Sequence, residues 1–590
     1  MRFPSLLSPL AASLFLIGAV PFSASAQPAP TPANSVKPLA KGVRLLQTVI
    51  PEGAVGGPLM ITTVEVNPKA AKGVRVGAAL GGDIVWGTDP TLGRENVSAL
   101  TARTGAVAGI NASFFPFAGN PLGFHVQQGE MVIEPAGDNA VFYIEKNGTP
   151  RFDALTYRGI VSREGAGTDT YAIGGLNRAP AAASANKSEI VLYTPIFFNA
   201  TLPSKGRFEV ALRVSPGLPL QAGKPITGMV LRTGEDGRLP IEKGTVVLSG
   251  SGDGADYLRR VAGTAGAKVT VRLDLETVGG KPFDLSRVRE AVAGRHRLIK
   301  NGKVVADTAA EGAGGSFSTT LHPRSAVGVT ADGKILLVLV DGRQKGISRG
   351  IGLVELAQRM QSMGCVDALN LDGGGSSALS VGGLIVNSPS GNVERPVASM
   401  LLVYAPPLDS KSRPAQVSLA APATRTVQVG ETLPVVASPL APKMVLGSRD
   451  GIGYVTQADG QFHATRPGKG IVGIVMPGAK QPVQTMAITV VGKDAGNKEG
   501  FTPKLTLTPE AGNENRATLT IKIANYEGDA LGSAAVTVSV VGGRADAATV
   551  TTDGKGTAQV GITWDAGSAP GSRSVTVSSA GGRFGTVTVK

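Results

Sequence analysis

Residues 335–343 read ILLVLVDGR, residues 348–364 SRGIGLVELAQRMQSMG, and residues 365–381 CVDALNLDGGGSSALSV. Two apolar runs in this stretch, 335–340 and 368–371, end in an aspartate followed by glycine: Asp341-Gly342-Arg343 and Asp372-Gly373-Gly374-Gly375-Ser376-Ser377. Between them Leu353, Leu356, Met360 and Met363 recur at spacings of three and four, one face of a helix. Gly364 stands where a C-terminal cap belongs. Strand–helix–strand in this order predicts two parallel strands joined by a right-handed crossover. Asp341 and Asp372 then leave the same carboxyl edge of a sheet, outside which ligands bind in open α/β sheets. Asn370 and Asp372 alternate along the second strand and so share a side.

Around this centre the chain alternates short strands and turns. PLMITTVEV (58–66) reads as a strand by its alternation, and VFYIEKNGTPRF (141–152) as a hairpin about Asn147-Gly148. TVVLSGSGDGADYLRRVA (245–262) reads as strand–turn–helix. Its glycine spacing is too loose for a dinucleotide fingerprint, and no glycine loop carries the Gly-Lys-Ser/Thr of a nucleotide-binding loop. The expected fold class is therefore α+β, a mixed α/β catalytic domain with strands dominating, followed by two all-β Ig-like sandwiches.

The chain begins with Arg2, an apolar core at 14–20 and Ala24-Ser25-Ala26, the pattern of an export signal over 1–26. No run is long enough to span a bilayer as a helix. The expected layout continues with a disordered Pro/Ala linker (27–40), a catalytic domain (41–405), a linker (406–416), an Ig-like domain (417–492), a second linker (493–500) and a second Ig-like domain (501–590). One cysteine, Cys365, excludes an internal disulfide, and four histidines give little support to a zinc site. The formal charge is +14, or +13 without Arg2. The charge is spread out, with no basic run interleaved with aromatics, so nucleic acid is not the expected partner. Anionic envelope polymers or phosphorylated glycans are.

Four segments carry a resemblance. HPRSAVGVT (322–330), LVDGR (339–343), ALNLDGGGSSAL (368–379) and ERPVASML (394–401), in that order, resemble the phosphodiester glycosidase family, as does GAVAGINASFF (105–115) upstream. Ala112 and Ser113 depart from the glycine that the family shows there. VQVGETLPV (427–435) resembles bacterial Ig-like surface domains and GTAQVGITW (556–564) invasin-type repeats.

The resemblance implies an exported hydrolase of glycosyl phosphodiesters. Asp372, Asp341, Asn370 and Glu394 are then the candidate catalytic residues. Asn111, Arg324, Arg343, Arg395 and the Gly373, Gly374, Gly375, Ser376, Ser377 turn are the candidate substrate and phosphate ligands. Arginine grips phosphate through two parallel hydrogen bonds, and glycines let backbone N–H groups approach an anion. In a sugar phosphodiester the C1–O cleavage expels a phosphate monoester, so a general acid is needed less than in an ordinary glycosidase. No cofactor is required; paired carboxylates make calcium a candidate. The competing reading is a non-catalytic surface protein that binds anionic glycans for exopolysaccharide assembly, its Ig-like domains docking on the envelope. His125 reads as structural, Arg178 as a weaker phosphate candidate, and 306–321 as either a lid or a plain surface loop.

Overall fold

The computed structural model describes residues 31–589, except 88–90, 117–118, 137–139, 166–167, 181–187, 215–217, 219, 221–222, 307–315, 392, 409–423, 436–443, 492–501, 525–529, 531–533 and 580–585. The export signal, most of the two later linkers and the centre of the 306–321 loop therefore lie outside the described residues.

All six residues of Ile335–Val340 are buried, as an unbroken apolar run demands when both faces of a strand are covered. Leu337 and Leu339 point to one face, into a core shared with Val76, Ile110, Leu379 and Leu401. Leu336, Val338 and Val340 point to the other, against Leu353, Leu356 and Met360 of the helix Leu353–Ser362. Each such fully buried side chain contributes about 1.5–3 kcal/mol by leaving water. Met363, anticipated on the same helical face, is instead the C-cap and is exposed. Gly364 follows with φ 89°, a left-handed value that glycine meets without steric cost.

The parallel-strand expectation needs one correction. Ile335–Val340 and Cys365–Asn370 run in the same direction but do not pair. Arg324–Thr330 lies between them, antiparallel to both (Arg324↔Val340, Ala326↔Asn370). Five residues of this inserted strand, 324–328, are buried without a break, which suits a central position. The consequence for the site survives. Asp341, Asp372 and Arg324 all lie at one edge of an eight-stranded sheet.

A second correction concerns the N-terminal linker. Ala33–Ala40 is not disordered; it is the edge strand of that same sheet, antiparallel to Val43–Ile50. Leu39 and Ala40 are buried there, and Pro38 sits beside a register shift. An edge strand tolerates its missing N–H.

A twelve-stranded sheet from residues 125–293 covers one flank, with the helix Asp253–Ala262 packed on it. A nine-stranded sheet faces the first across the main core and contains Ala108–Asn111, Leu379–Val381 and Ser399–Tyr404. It continues into the downstream segment, because Ile385 pairs with Ser448 of Val445–Arg449. The strands of 424–491 are therefore hydrogen-bonded to the 41–405 region. Gln457 N–H donating to Gln47 Oε1 (2.9 Å) and Arg449 donating to Gly383 O (2.7 Å) reinforce the join. The last module packs two four-stranded antiparallel sheets around Leu519, Val536, Ile562 and Trp564, a β-sandwich arrangement.

Candidate active site

The glycine turn is held by long-range backbone bonds. Leu371 N–H reaches Ser325 O, Asp372 N–H reaches Ala112 O, and Gly374 N–H reaches Pro323 O. Asn111 is fully buried and spends both ends of its amide here. Its Nδ2 donates to Asp372 O (2.6 Å), and its Oδ1 accepts from Ser325 Oγ (2.7 Å) and Ala378 N (3.2 Å). It brackets the turn between two sheets rather than presenting itself to a ligand.

The glycines do a different job from the one anticipated. Gly373 N–H donates to Asp372 Oδ1 (3.0 Å), and the N–H groups of Gly374, Ser376 and Ser377 go to backbone carbonyls. Gly374 N–H is used on Pro323 O and the other three within the turn, so no cradle of N–H groups is offered to an anion by these four donors. What the missing side chains admit is arginine. A Cβ on Gly375 would lie 2.5 Å from Arg395 Nη2, and one on Gly374 (φ 61°) would lie 3.3 Å from Arg343 Nη2. Arg395 Nη1 also donates to Ser376 Oγ (3.3 Å), and Arg343 Nε donates to His322 Nδ1 (3.2 Å). Two guanidinium groups thus lie directly on the turn.

Arg324 stands behind them. It is 2% exposed and stacks over Phe317, 4.7 Å from the ring centre. Its guanidinium donates to carbonyls of Phe317 (2.5 Å), Thr320 (3.2 Å) and Ile351 (3.3 Å). Burial, and then the charge of Arg343, hold it down at about 10. Its hydrogen bonds make it a clamp on the chain around 317–320. Its charge adds to a positive field that favours anions.

Burial separates the carboxyl groups. Asp372 keeps partial exposure at the head of the turn. Burial raises it to about 6, opposed by the Ser376 hydroxyl, the Arg395 charge and the Gly373 N–H. Asp341 is 1% exposed, and burial raises it to about 7. Its Oδ1 accepts from Asn387 Nδ2 (2.8 Å) and Ser388 N (3.0 Å), while Oδ2 has no partner. Asn387 ties Asp341 to the turn through Ser377 O (3.4 Å). Glu394 is committed elsewhere. Its Oε1 accepts the Ser98 N–H (2.7 Å) and its Oε2 the Ser98 hydroxyl, capping the helix Val97–Thr104. Burial raises it to about 7. Asn370 donates to Arg295 O (3.1 Å). Asn370 Oδ1, Ser377 Oγ and Asp341 Oδ2 are buried without partners. Three orphaned polar atoms about one turn call for a water or a ligand group.

His125 is buried in the core and held down at about 4, hence neutral. Arg178 is taken up by Glu134 (3.1 Å) and Glu189 (2.9 Å). Among the described residues no group of three or more His, Cys, Asp or Glu side chains converges that could hold a metal ion.

Residues that the sequence reading passed over also belong here: His322, Asn387, Ser388 and, from the downstream strands, Tyr454 and Arg466. Arg466 donates to Pro389 O (3.0 Å) and Ser390 O (3.4 Å). Tyr454 stacks on His463 at 4.7 Å, and burial together with the Asp341 and Asp459 charges pushes its hydroxyl up to about 12. His322 lay inside a quoted motif. Nothing in the local pattern marked the others, since they arrive by sheet pairing.

Comparison with known proteins finds similarity over part of the chain. An SPbeta prophage-derived uncharacterized protein of Bacillus subtilis is 40% identical over 92 residues, 16% of this chain and 14% of that protein. The N-acetylglucosamine-1-phosphodiester alpha-N-acetylglucosaminidase of Mus musculus is 29% identical over 125 residues, 18% of this chain and 24% of the enzyme. The chain thus spans between about a seventh and a quarter of the length of these curated relatives. A hypothetical protein from Synechocystis shares the fold, with a TM-score of 0.50 at 22% identity over 65% of this chain and 64% of that one. Residues 225–404, which hold Asp341, Asp372, Glu394, Arg324, Arg343 and Arg395, match the family described as Phosphodiester glycosidase, so a domain of that family occupies this part of the chain.

Proposed function

We propose that this protein hydrolyses glycosyl phosphodiesters of the N-acetylglucosamine-1-phosphate type at the sugar C1–O bond, on phosphorylated glycans or envelope polymers. The observation that carries the reading is the pair of guanidinium groups, Arg343 and Arg395, lying on a three-glycine turn headed by the half-buried Asp372. The phosphate sits against the arginines, which stabilise the negative charge that gathers on the departing monoester. Asp372 faces the anomeric carbon. With its carboxyl near 6, it is largely ionised at neutral pH, as a base for water or a partner for the oxocarbenium-like centre must be. Asp341 acts through Asn387 as a positioning group, its burial keeping it from the reacting atoms. We also take the protein to be exported, on the strength of the 1–26 segment; among the described residues no helix is long and apolar enough to cross a membrane.

The test is hydrolysis of an N-acetylglucosamine-1-phosphodiester of a second sugar, run beside simple α- and β-glycosides. Free sugar plus phosphate monoester is expected, lost by about 10²–10⁴-fold in Asp372→Ala. Release of sugar 1-phosphate would place the cut on the other side of phosphorus. Binding of the diester without turnover would favour the non-catalytic glycan-binding reading.

A further inference from the structure

A cavity of about 450 Å³ opens at the end of the molecule away from the glycine turn, within the size range of small-ligand sites. Ile335 lies on its wall and Asp341 follows the other end of the same strand, so the two places are roughly 20 Å apart at ~3.3 Å per residue. The three large sheets meet here. Lys69 and Arg75 come from the 67–75 connection, Lys146, Asn147 and Thr149 from the Asn147-Gly148 hairpin, and Arg289 from the strand Val288–Ala293.

These four cations face one nearby carboxylate, Glu290, which interacts with Arg289 and Arg75. Lys69 Nζ donates to a backbone carbonyl, Asp332 O (2.8 Å), which aims it without neutralising it. Arg75 stacks on the Tyr404 ring at 3.9 Å. Neither these two nor Lys146 forms an ion pair among the described residues. Arg289 Nε approaches Glu290 Oε1 at 3.5 Å, while the Ala78 and Gln128 N–H groups donate to the other oxygen, Oε2 (3.1 and 3.3 Å). That Nε is buried and makes no hydrogen bond, so the long ion pair to Glu290 is all that meets it. Four cations facing one carboxylate leave the concavity with an excess of positive charge, which a bound anion relieves. Two of them are guanidinium groups, whose fork matches phosphate. Apolar walls at Val74, Val76 and Ile144 give a sugar ring something to lie against.

We propose that this cavity is a second binding site, for a phosphorylated sugar unit, that holds a neighbouring repeat of a polymeric substrate while the glycine turn acts on another. The link to a substrate polymer rests on the proposed function; the binding itself does not. Glucose 6-phosphate, which contains no diester to cleave, is titrated calorimetrically into the full chain, with glucose and glucuronate as controls. Glucose 6-phosphate is expected to bind the wild type and Asp372→Ala alike. The double variant Lys69→Ala/Lys146→Ala, which changes only exposed side chains, should weaken it at least about tenfold and leave hydrolysis of a small diester unchanged. Lys146→Glu should weaken it as well. Equal binding of glucose, tighter binding of glucuronate, or unchanged affinity in both lysine variants would overturn the site. If no diester is hydrolysed but the lysine variants still lose glucose 6-phosphate, the site stands and only the hydrolase reading falls.

Discussion

Replacing Asp341 by asparagine tests the electrostatics of the centre most directly. Asp341 is fully buried, and its carboxyl is raised from 3.8 to about 7. At ~1.4 kcal/mol per pH unit, keeping it ionised in the folded state costs roughly 4 kcal/mol relative to the unfolded chain. The folded-state value lies above the unfolded one. The favourable contribution is therefore complete below about pH 4 and withdrawn as pH rises through 7. Asparagine has no charge to bury. Its Oδ1 can still accept from Asn387 and Ser388, but its amide donors meet the place where Oδ2 has no partner, a penalty of ~1–3 kcal/mol. Asp341→Asn should thus match the wild type within about 1 kcal/mol at pH 5 and exceed it by about 1–3 kcal/mol at pH 8.5. Urea unfolding can be followed through Trp86, which packs on Phe197 of the 41–405 region, in a Trp564→Phe background that silences the only other tryptophan. Asp372 and Glu394 titrate with the same sign, so the difference between the two proteins isolates Asp341. Parallel stability curves from pH 5 to 8.5 would refute the reasoning. The variant should also hydrolyse the diester more slowly, because the link from Asp341 through Asn387 to Ser377 positions the turn.

Four further outcomes follow from the geometry. Gly375→Ala brings a methyl group to 2.5 Å from Arg395 Nη2; the flexible guanidinium should move away, costing under ~1 kcal/mol of stability but a marked share of turnover, measured by melting and kinetics on one sample. Glu394→Ala uncaps the Val97–Thr104 helix, so about 1–2 kcal/mol of stability should be lost with kcat kept; a collapse of kcat at unchanged stability would return Glu394 to the chemistry. A chain ending at 492 should retain hydrolysis, since the last module's sheets are built from its own strands. One ending at 407 should lose solubility, because Ile385 and Gln47 surrender their partners Ser448 and Gln457.

Much of the architecture is legible along the chain because it rests on local periodicity. The apolar runs 335–340 and 368–371, the three-and-four spacing from Leu353 to Met360, and the Asp-Gly endings place two co-directional strands, a crossover helix and two aspartates at one sheet edge. The alternating strands beyond 417 mark β-rich modules in the same way. Side-chain partners are another matter, because they depend on which distant segments arrive. The strand Arg324–Thr330 slips between the two expected neighbours. Ala33–Ala40, proline-bearing and unremarkable by composition, finds an edge to pair with. Glu394 turns away to cap a helix from the start of the domain, and Asn111 becomes a bracket. The glycines make room for arginine rather than for an anion's direct contact with the backbone.

What the sequence by itself determined is where backbone geometry must bend, which faces are apolar, and which charged residues follow the central strands, since these depend on residues a few positions apart. Only the tertiary structure decided which carboxylate keeps contact with solvent, which arginines reach the turn, how the 424–491 strands extend the nine-stranded sheet, and that four cations from three segments surround one cavity. Burial and hydrogen-bond partnership are properties of the assembled neighbours. At the edge of these sheets those neighbours lie hundreds of residues apart in the chain.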